Sequence, residues 1–314
     1  MDASLLPRYA TLREVSLQYL DCNMPTAFKC DWILIAYAAG LRHIGVGTYF
    51  PAGHPRHVDM HEVALFASTL PDLEICATAT DAECARLAFE QGVNRVVLSV
   101  QGGLQSLDKE PESGFRQVQG ALRAACRARE AARVRGLVEV QLDTALSSLD
   151  GKAGGSIAQL VARVALDEGC DVIGVADPRG RTAAQHVARM LAGMRALGDD
   201  RPLSAYLNGD GEVGRAAVCA AMQAGATLID VAVAGYRRAG RGDISAKESP
   251  EQSVATMLHA LGVNTGVDVR TLDELLEFAQ RHSGHRVRGQ VHCCSHEGGM
   301  LVSDWTTSRP KARR

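Results

Sequence analysis

The chain has 314 residues, of which 46% are hydrophobic and 22% are charged, as in globular proteins that bury a large core. Its 34 basic and 36 acidic side chains give a net charge of −2, so the composition does not indicate a nucleic-acid or membrane-surface protein. Nine cysteines, an odd number, together with the lack of a signal-peptide pattern or of an apolar run near the roughly 18 residues of a membrane span, predict a cytoplasmic protein.

Helical segments alternate with short apolar runs along the whole chain. At Gly40, Gly92, Gly169 and Gly225 a glycine ends a helical stretch, and a β-branched run follows after a short link. The predicted strands lie near residues 12–18, 42–47, 74–79, 95–100, 136–142, 171–176, 203–207 and 227–233. Eight such βα units predict an α/β fold of the (β/α)8 TIM-barrel type. A doubly wound open sheet is the alternative, but no Gly-x-Gly-x-x-Gly follows the first strand.

The end of the chain adds one more helix after the last unit. We expect residues 1–270 to form the barrel. Residues 271–314, with a helix near 271–282, are expected to form a short helical cap and a tail that pack on it. The basic tail Ser308–Arg314 is interpreted as a solvated terminus rather than a nucleic-acid site.

Polar residues gather where the predicted strands end, which is where barrel enzymes carry their chemistry. Asp143, Asp177 and Asp210 follow the fifth, sixth and seventh strands. They are candidates for proton transfer or a cation site, and capping of the next helix is the alternative, favoured for Asp143. The other polar groups at these ends are Gln18, Tyr19, Gln141, Tyr206 and Asn208.

Basic residues follow the eighth strand. Arg237, Arg238 and Arg241 lie in a loop expected over the barrel mouth, where guanidinium groups suit a carboxylate or phosphate. A solvated loop is the alternative. Two histidine groups are weaker candidates for metal binding, because neither has a full ligand set at a recognised spacing: His54, His57 and His61, and His292, Cys293, Cys294 and His296.

Four segments carry a resemblance to a known family. They are Glu14–Leu20 (EVSLQYL), Val175–Gly180 (VADPRG), Val233–Gly235 (VAG) and Leu261–Val267 (LGVNTGV). In this order the chain resembles hydroxymethylglutaryl-CoA (HMG-CoA) lyase and the isopropylmalate synthase superfamily of pyruvate carboxyltransferase-type barrels, from about residue 12 to about 270. The resemblance implies a TIM barrel that breaks or makes a carbon–carbon bond, with a divalent cation that stabilises an enolate.

The reactive residues of that family are replaced in this chain. Where the family ends its first strand in Arg-Asp-Gly, the chain has Gln18, Tyr19 and Leu20. Its seventh-strand His-x-His is Tyr206-Leu207-Asn208 here. The eighth-strand Gly-Gly-Cys-Pro is Arg237-Arg238-Ala239-Gly240, and Glu248 stands near the place of a later Asn ligand. These changes remove the carboxylate, the two histidines and the thiol, so we expect no metal or other cofactor at the inherited position.

Three hypotheses follow. The first is a cytoplasmic carbon–carbon lyase or aldolase-type enzyme with a rewired site for a small anionic carboxylate or an acyl-CoA. Gln18, Arg237 and Arg238 would bind its anion, Tyr19 or Tyr206 would donate to an oxyanion, and Asp177, Asn208 and Asp210 would complete the catalytic set. The second is a non-catalytic barrel that binds a small anion or a partner, and the third is a lyase with a metal relocated to Asp177, Asp210 and Glu248. The oligomeric state is left open, a homo-oligomer included.

Overall fold

Eight parallel strands close into a barrel in the computed structural model, and helices lie between successive strands. The structure describes residues 6–18, 24–50, 59–99, 111–132, 135–143, 156–177, 180, 182–198, 200–207, 211–232 and 250–283. The strands are Thr11–Glu14 (β1), His43–Tyr49 (β2), Glu74–Ala79 (β3), Arg95–Ser99 (β4), Leu137–Asp143 (β5), Val172–Asp177 (β6), Leu203–Leu207 (β7) and Ala226–Val231 (β8).

The helices in the described part of the chain surround these strands. They are Thr26–Ala38 (α1), Met60–Ala67 (α2), Ala82–Glu90 (α3), Pro111–Ala132 (α4), Ile157–Asp167 (α5), Ala184–Arg195 (α6), Gly211–Gln223 (α7), Pro250–Ala260 (α8) and Val269–Ser283 (α9).

Closure of the sheet decides between the two predicted architectures. β1 pairs with β2 on one side and with β8 on the other, from Thr11 opposite Leu228 to Glu14 opposite Val231. In a doubly wound sheet, each of the two outer strands would have one unpaired edge. The predicted (β/α)8 TIM barrel is therefore confirmed.

Side chains alternate between the two surfaces of the barrel wall, as parallel strands require. On β5 the outward positions belong to the hydrophobic core beneath the helices. The inward positions carry polar groups that contact other strands across the barrel. The outward residues are Val138, Val140 and Leu142, and the inward ones are Glu139, Gln141 and Asp143.

The four glycines used to place helix ends adopt the predicted left-handed conformation. Gly40, Gly92, Gly169 and Gly225 have φ of 95°, 91°, 91° and 100°. At Gly40 a Cβ would also lie 2.3 Å from the carbonyl oxygen of Gly266, so a larger residue is excluded by contact as well as by conformation.

The first strand is shorter than the predicted 12–18. It ends at Glu14, and Ser16–Gln18 form a 3-10 turn. The backbone N–H of Ser16 donates to Glu14 Oε1 at 2.9 Å, and that of Gln18 donates to the carbonyl of Val15 at 3.1 Å. These local bonds replace the strand ladder and turn the chain over the end of the barrel.

The helix predicted near residues 271–282 is present as α9 and lies against α1. The rings of Phe28 and Phe278 stack with centroids 4.9 Å apart, and the His282 ring meets Phe28 edge-on at 5.4 Å. Residues 284–314 lie outside the described part, so the predicted packing of the tail stays a prediction. Among the described helices none is long and apolar enough to cross a membrane.

Candidate functional site

Two predicted site residues lie inside the carboxyl mouth, the end of the barrel where the strands finish. Gln18 Nε2 is 2.7 Å from the point where a Cβ on Gly45 would stand, so its amide lies over the inner face of β2. Tyr206 points inward from β7 and packs with Val15, Ala176 and Ala232 in a small buried cluster separate from the outer core. The absence of a side chain at Gly45 makes room for Gln18.

The two described strand-end aspartates face opposite surfaces of the wall. Asp177 follows the outward residues Ile173 and Val175 at period 2, which places it on the helix side. Its Oδ2 accepts a 2.7 Å hydrogen bond from the backbone N–H of Thr182, just before α6. Asp143 continues the inward face of β5 and is buried. The contact of Asp177 with Thr182 therefore agrees with the alternative that Asp177 caps the next helix. Asp143, for which capping was the favoured interpretation, lies instead on the lumen side.

A buried guanidinium occupies the middle of the barrel. Arg13 on β1 is fully buried and bonds to carboxylates on two other strands. Its Nε and Nη2 donate to the two oxygens of Asp230 at 2.7 and 2.8 Å. Its Nη1 and Nη2 donate to the two oxygens of Glu139 at 2.7 and 2.9 Å. Arg13 therefore joins β1, β5 and β8 across the lumen through four charge-assisted hydrogen bonds.

The same network continues to the amino end of the barrel. Arg95 donates from Nη1 to Glu139 at 3.1 Å and from Nε to Glu74 at 2.6 Å. His43 Nδ1 lies 3.0 Å from the same Glu74 carboxylate. A line of polar contacts thus runs from the rim at His43 to the centre at Arg13.

Two neutral side chains complete the centre. Ser204 on β7 donates its hydroxyl to Glu139 Oε1 at 2.7 Å. Gln141 on β5 donates from Nε2 to Glu139 Oε1 at 3.1 Å and to Asp230 Oδ2 at 2.8 Å. Both carboxylates are therefore bonded by neutral donors as well as by Arg13.

Burial and charge act against each other in this network. Burial alone would lower the pKa of Arg13, but the carboxylates of Asp230 and Glu139 hold it well above its usual value. Burial acts to raise the pKa of Glu139, yet Arg13 and Arg95 outweigh it and lower that pKa to about 2. At Asp230 burial prevails and the pKa is raised. The centre therefore holds two carboxylates paired with Arg13, one with a lowered pKa and one with a raised pKa.

Sequence reasoning missed this network. Arg13 and Asp230 stand within mainly apolar runs, and buried charges of this kind are rare unless paired. The signal was present in β5, where Glu139, Gln141 and Asp143 alternate with Val and Leu. Such alternation is unusual for a parallel strand, which is buried on both faces, and it indicates a polar lumen.

Several predicted residues fall outside the described part of the chain. Of the first histidine group only His61 is described, and it is exposed on α2. Over the described residues, no group of three His, Cys, Asp or Glu could hold a metal ion. The residues outside are Tyr19, His54, His57, Asn208, Asp210, Arg237, Arg238, Arg241, Glu248, His292, Cys293, Cys294 and His296.

The described residue at the inherited metal position does not suit a divalent cation. Tyr206, in the place of a histidine, is a phenol packed among Val15, Ala176 and Ala232. Gln18 stands in the place of the family's arginine, and Tyr19 and Asn208, at two other ligand positions, lie outside the described residues. Hard cations such as Mg²⁺ favour carboxylate ligands, and zinc sites are built from His, Cys and carboxylates.

Comparison with known proteins gives a consistent family. The HMGL-like family pattern matches residues 10–279. HMG-CoA lyase from Pseudomonas aeruginosa aligns with a TM-score of 0.69 at 20% identity, over 90% of this chain and 95% of that one. An HMG-CoA lyase from Acinetobacter baumannii, solved with coenzyme A and 3-methylmalate, aligns with a TM-score of 0.68 at 18% identity, over 100% and 99%.

A more distant structure shares the barrel. The carboxyl transferase domain from Rhizobium etli pyruvate carboxylase aligns with a TM-score of 0.64 at 13% identity, over 87% of this chain and 47% of that one. The search of curated proteins gives no match. At these identities the solved structures establish the fold.

Proposed function

The chain belongs to the HMGL-like family, and from this premise we propose that it is a carbon–carbon lyase or aldolase-type enzyme. Its substrate would be a small hydroxy carboxylate or the corresponding acyl-CoA. The observation that carries the proposal is the polar lumen of the carboxyl mouth, where Gln18, Gln141, Asp143 and Tyr206 replace an apolar barrel filling. Inward hydrogen-bonding groups at this end are what a barrel enzyme uses to bind and activate a substrate.

The chemistry needs one base and one oxyanion donor. In a retro-aldol cleavage a base takes the proton of the carbinol hydroxyl, a carbonyl forms, and the carbon–carbon bond breaks to leave an enolate that is then protonated. Tyr206 supports the donor role because it faces the mouth from β7. We add Asp143 as a candidate base, since alternation along β5 places it on the lumen side. Asp177, Tyr19, Asn208 and Asp210 stay predictions for this set.

An anionic substrate needs a cation that is not already paired. The two arginines described inside the barrel, Arg13 and Arg95, are bonded to carboxylates. They face three such groups, which leaves an excess of negative charge before His43 is counted. Arg237 and Arg238, which follow β8 in the sequence, therefore remain our proposed anion-binding residues.

The proposed reaction does not use a metal at the inherited position, because Tyr19, Tyr206 and Asn208 in the sequence replace its carboxylate and two histidines with weaker ligands. Elemental analysis of the purified protein should find no stoichiometric Mg, Mn or Zn there. We also propose a cytoplasmic location, which fits the unpaired cysteines of the described residues, such as Cys76 and Cys170.

The test treats the protein with a chelator and then uses NMR to measure its turnover of a panel of 3-hydroxy carboxylates and their CoA thioesters. We expect cleavage that survives the chelator and falls at least about 100-fold in Tyr206→Phe, the scale of one lost oxyanion donor. Tyr9→Phe is the matched control, because Tyr9 is 69% exposed and lies away from the mouth. Arg237→Ala with Arg238→Ala should abolish substrate binding with little change in melting temperature.

Each alternative gives a different result. Cleavage that the chelator abolishes and Mg²⁺ restores would favour the relocated-metal hypothesis. Anion binding without turnover of any panel member would favour the non-catalytic barrel. Neither binding nor turnover would refute the proposed function.

A further inference from the structure

Within the described residues, the side chain of Gln141 uses its hydrogen-bond donors but not its acceptor. It is 6% exposed and lies on the inward face of β5, between Glu139 and Asp143. Its Nε2 donates to Glu139 Oε1 at 3.1 Å and to Asp230 Oδ2 at 2.8 Å. These two bonds use both hydrogens of the amide nitrogen.

The chemistry of the neighbours fixes the orientation of this amide. Ionised carboxylates only accept hydrogen bonds, and Arg13 binds both Glu139 and Asp230 through two contacts each. The reversed amide would place Oε1 against two carboxylate oxygens, which is repulsive. The nitrogen must therefore face the carboxylates, and Oε1 is turned away from them.

The amide oxygen is left as an acceptor in the lumen. No group in the described part of the chain donates to Gln141 Oε1. Gly174, the residue opposite Gln141 on β6, presents no side chain towards it. Along the inward face of β5, Glu139 lies nearer the amino end and Asp143 lies nearer the mouth. Because Nε2 is turned towards Glu139, Oε1 is turned away from the amino end. This oxygen can therefore accept a hydrogen bond from a ligand in the lumen.

We propose that Gln141 Oε1 is a specificity-determining acceptor for a hydroxyl of the substrate. The inference rests on the proposed function and adds the requirement that the substrate carries a hydroxyl group that bonds to Gln141 Oε1. A carbonyl oxygen repels a carboxylate and accepts from an O–H, so this position recognises the hydroxyl-bearing carbon of a hydroxy acid rather than its anionic end. A site built to bond a hydroxyl rejects the analogue that lacks it.

The experiment compares two probes that differ by one hydroxyl group. Calorimetry measures Kd for 3-hydroxyglutarate and glutarate with the full-length protein and with Gln141→Met. We expect wild type to bind the hydroxy acid at least about tenfold more tightly than glutarate, which corresponds to about 1.4 kcal/mol. In Gln141→Met this ratio should fall to about one while Kd for glutarate stays within about twofold. Gln119→Met, on α4 with a bond to Glu168, is the control that should keep the ratio.

A second variant tests the orientation without a ligand. Gln141→Glu replaces the two donated hydrogens with a third carboxylate beside Glu139 and Asp230. It should lower the melting temperature at neutral pH and recover part of the loss on acidification, whereas Gln141→Met should show no such recovery.

The outcomes separate the two proposals. A hydroxyl preference that persists in Gln141→Met overturns this inference and leaves the proposed function in place. A Gln141→Glu variant as stable as wild type at neutral pH also overturns it, because the amide would then face the other way. If wild type binds neither probe, the proposed function fails and the inference fails with it.

Discussion

Replacement of Arg13 by Met should destabilise the barrel severely. The substitution keeps an unbranched side chain but removes the guanidinium and its four hydrogen bonds of 2.7–2.9 Å to Glu139 and Asp230. Breaking a buried ion pair on one side costs about 3–5 kcal/mol, because a charge stays buried without its partner. For a chain of this size about 2 °C is lost per kcal/mol, so the melting temperature should fall by roughly 6–10 °C.

The loss should depend on pH in a defined direction. Asp230 already has a raised pKa, and without Arg13 burial raises it further. Protonation then removes the stranded charge, so the deficit of Arg13→Met should shrink as the pH falls from about 7.5 to about 5. Adding Asp230→Asn should restore part of the stability at pH 7.5. Urea denaturation at both pH values measures each step.

The control is Arg86→Met on α3. Arg86 bonds to Glu83 and Glu90 on the surface of one helix, and such exposed pairs contribute little. The melting temperature of Arg86→Met should equal that of the wild type. A loss below about 1 kcal/mol for Arg13→Met, or a deficit of the same size at both pH values, would show that the network does not depend on the Arg13 charge.

Three further outcomes are expected. The stability of Gly174→Ala, measured by thermal denaturation, should fall by about 1–3 kcal/mol or more, because the added Cβ would lie 2.0 Å from Ser204 Oγ. Gly120→Ala in α4 is the control: its Cβ meets nothing within 4 Å, and its stability should rise by up to about 1 kcal/mol. Glu74 and Glu139 have pKa values lowered to about 2 from 4.5, so their stabilisation is present above pH 4.5 and is lost as the pH falls towards 2. Urea midpoints at pH 5 and pH 3 should show this, with a smaller difference in Glu74→Gln. Cleavage of HMG-CoA should be negligible even with added Mg²⁺, and release of acetoacetate that depends on the enzyme would contradict the motif argument.

The fold was predictable because its signals are local. A glycine such as Gly169 ends a helix whatever lies around it, and its φ of 91° agrees with that reading. The strand near 203–207 was placed to the residue, since its apolar run has clear limits. The end of β1 was not predicted, because the 3-10 turn depends on the bond from Ser16 to the Glu14 side chain.

The candidate site was less predictable because it depends on which face of the wall each residue takes. Asp143 and Asp177 look alike in sequence, each at the end of a predicted strand, yet alternation puts them on opposite surfaces. Partners across the lumen are harder still. Arg13 and Asp230 are separated by 217 positions, and pairing of β1 with β8 is what brings them together.

That separation of 217 positions also has a consequence for synthesis of the protein. β1 leaves the ribosome early, but its partner β8 follows only after most of the chain has been translated, so one edge of the growing sheet stays open in the meantime. An open apolar edge invites pairing with other nascent chains, and a charge that points inward is a recognised defence. Arg13, which points into the lumen from β1, supplies such a charge. We expect the Arg13 guanidinium, which later bonds to β5 and β8, to keep the incomplete chain from associating with other nascent chains until β8 has been synthesised.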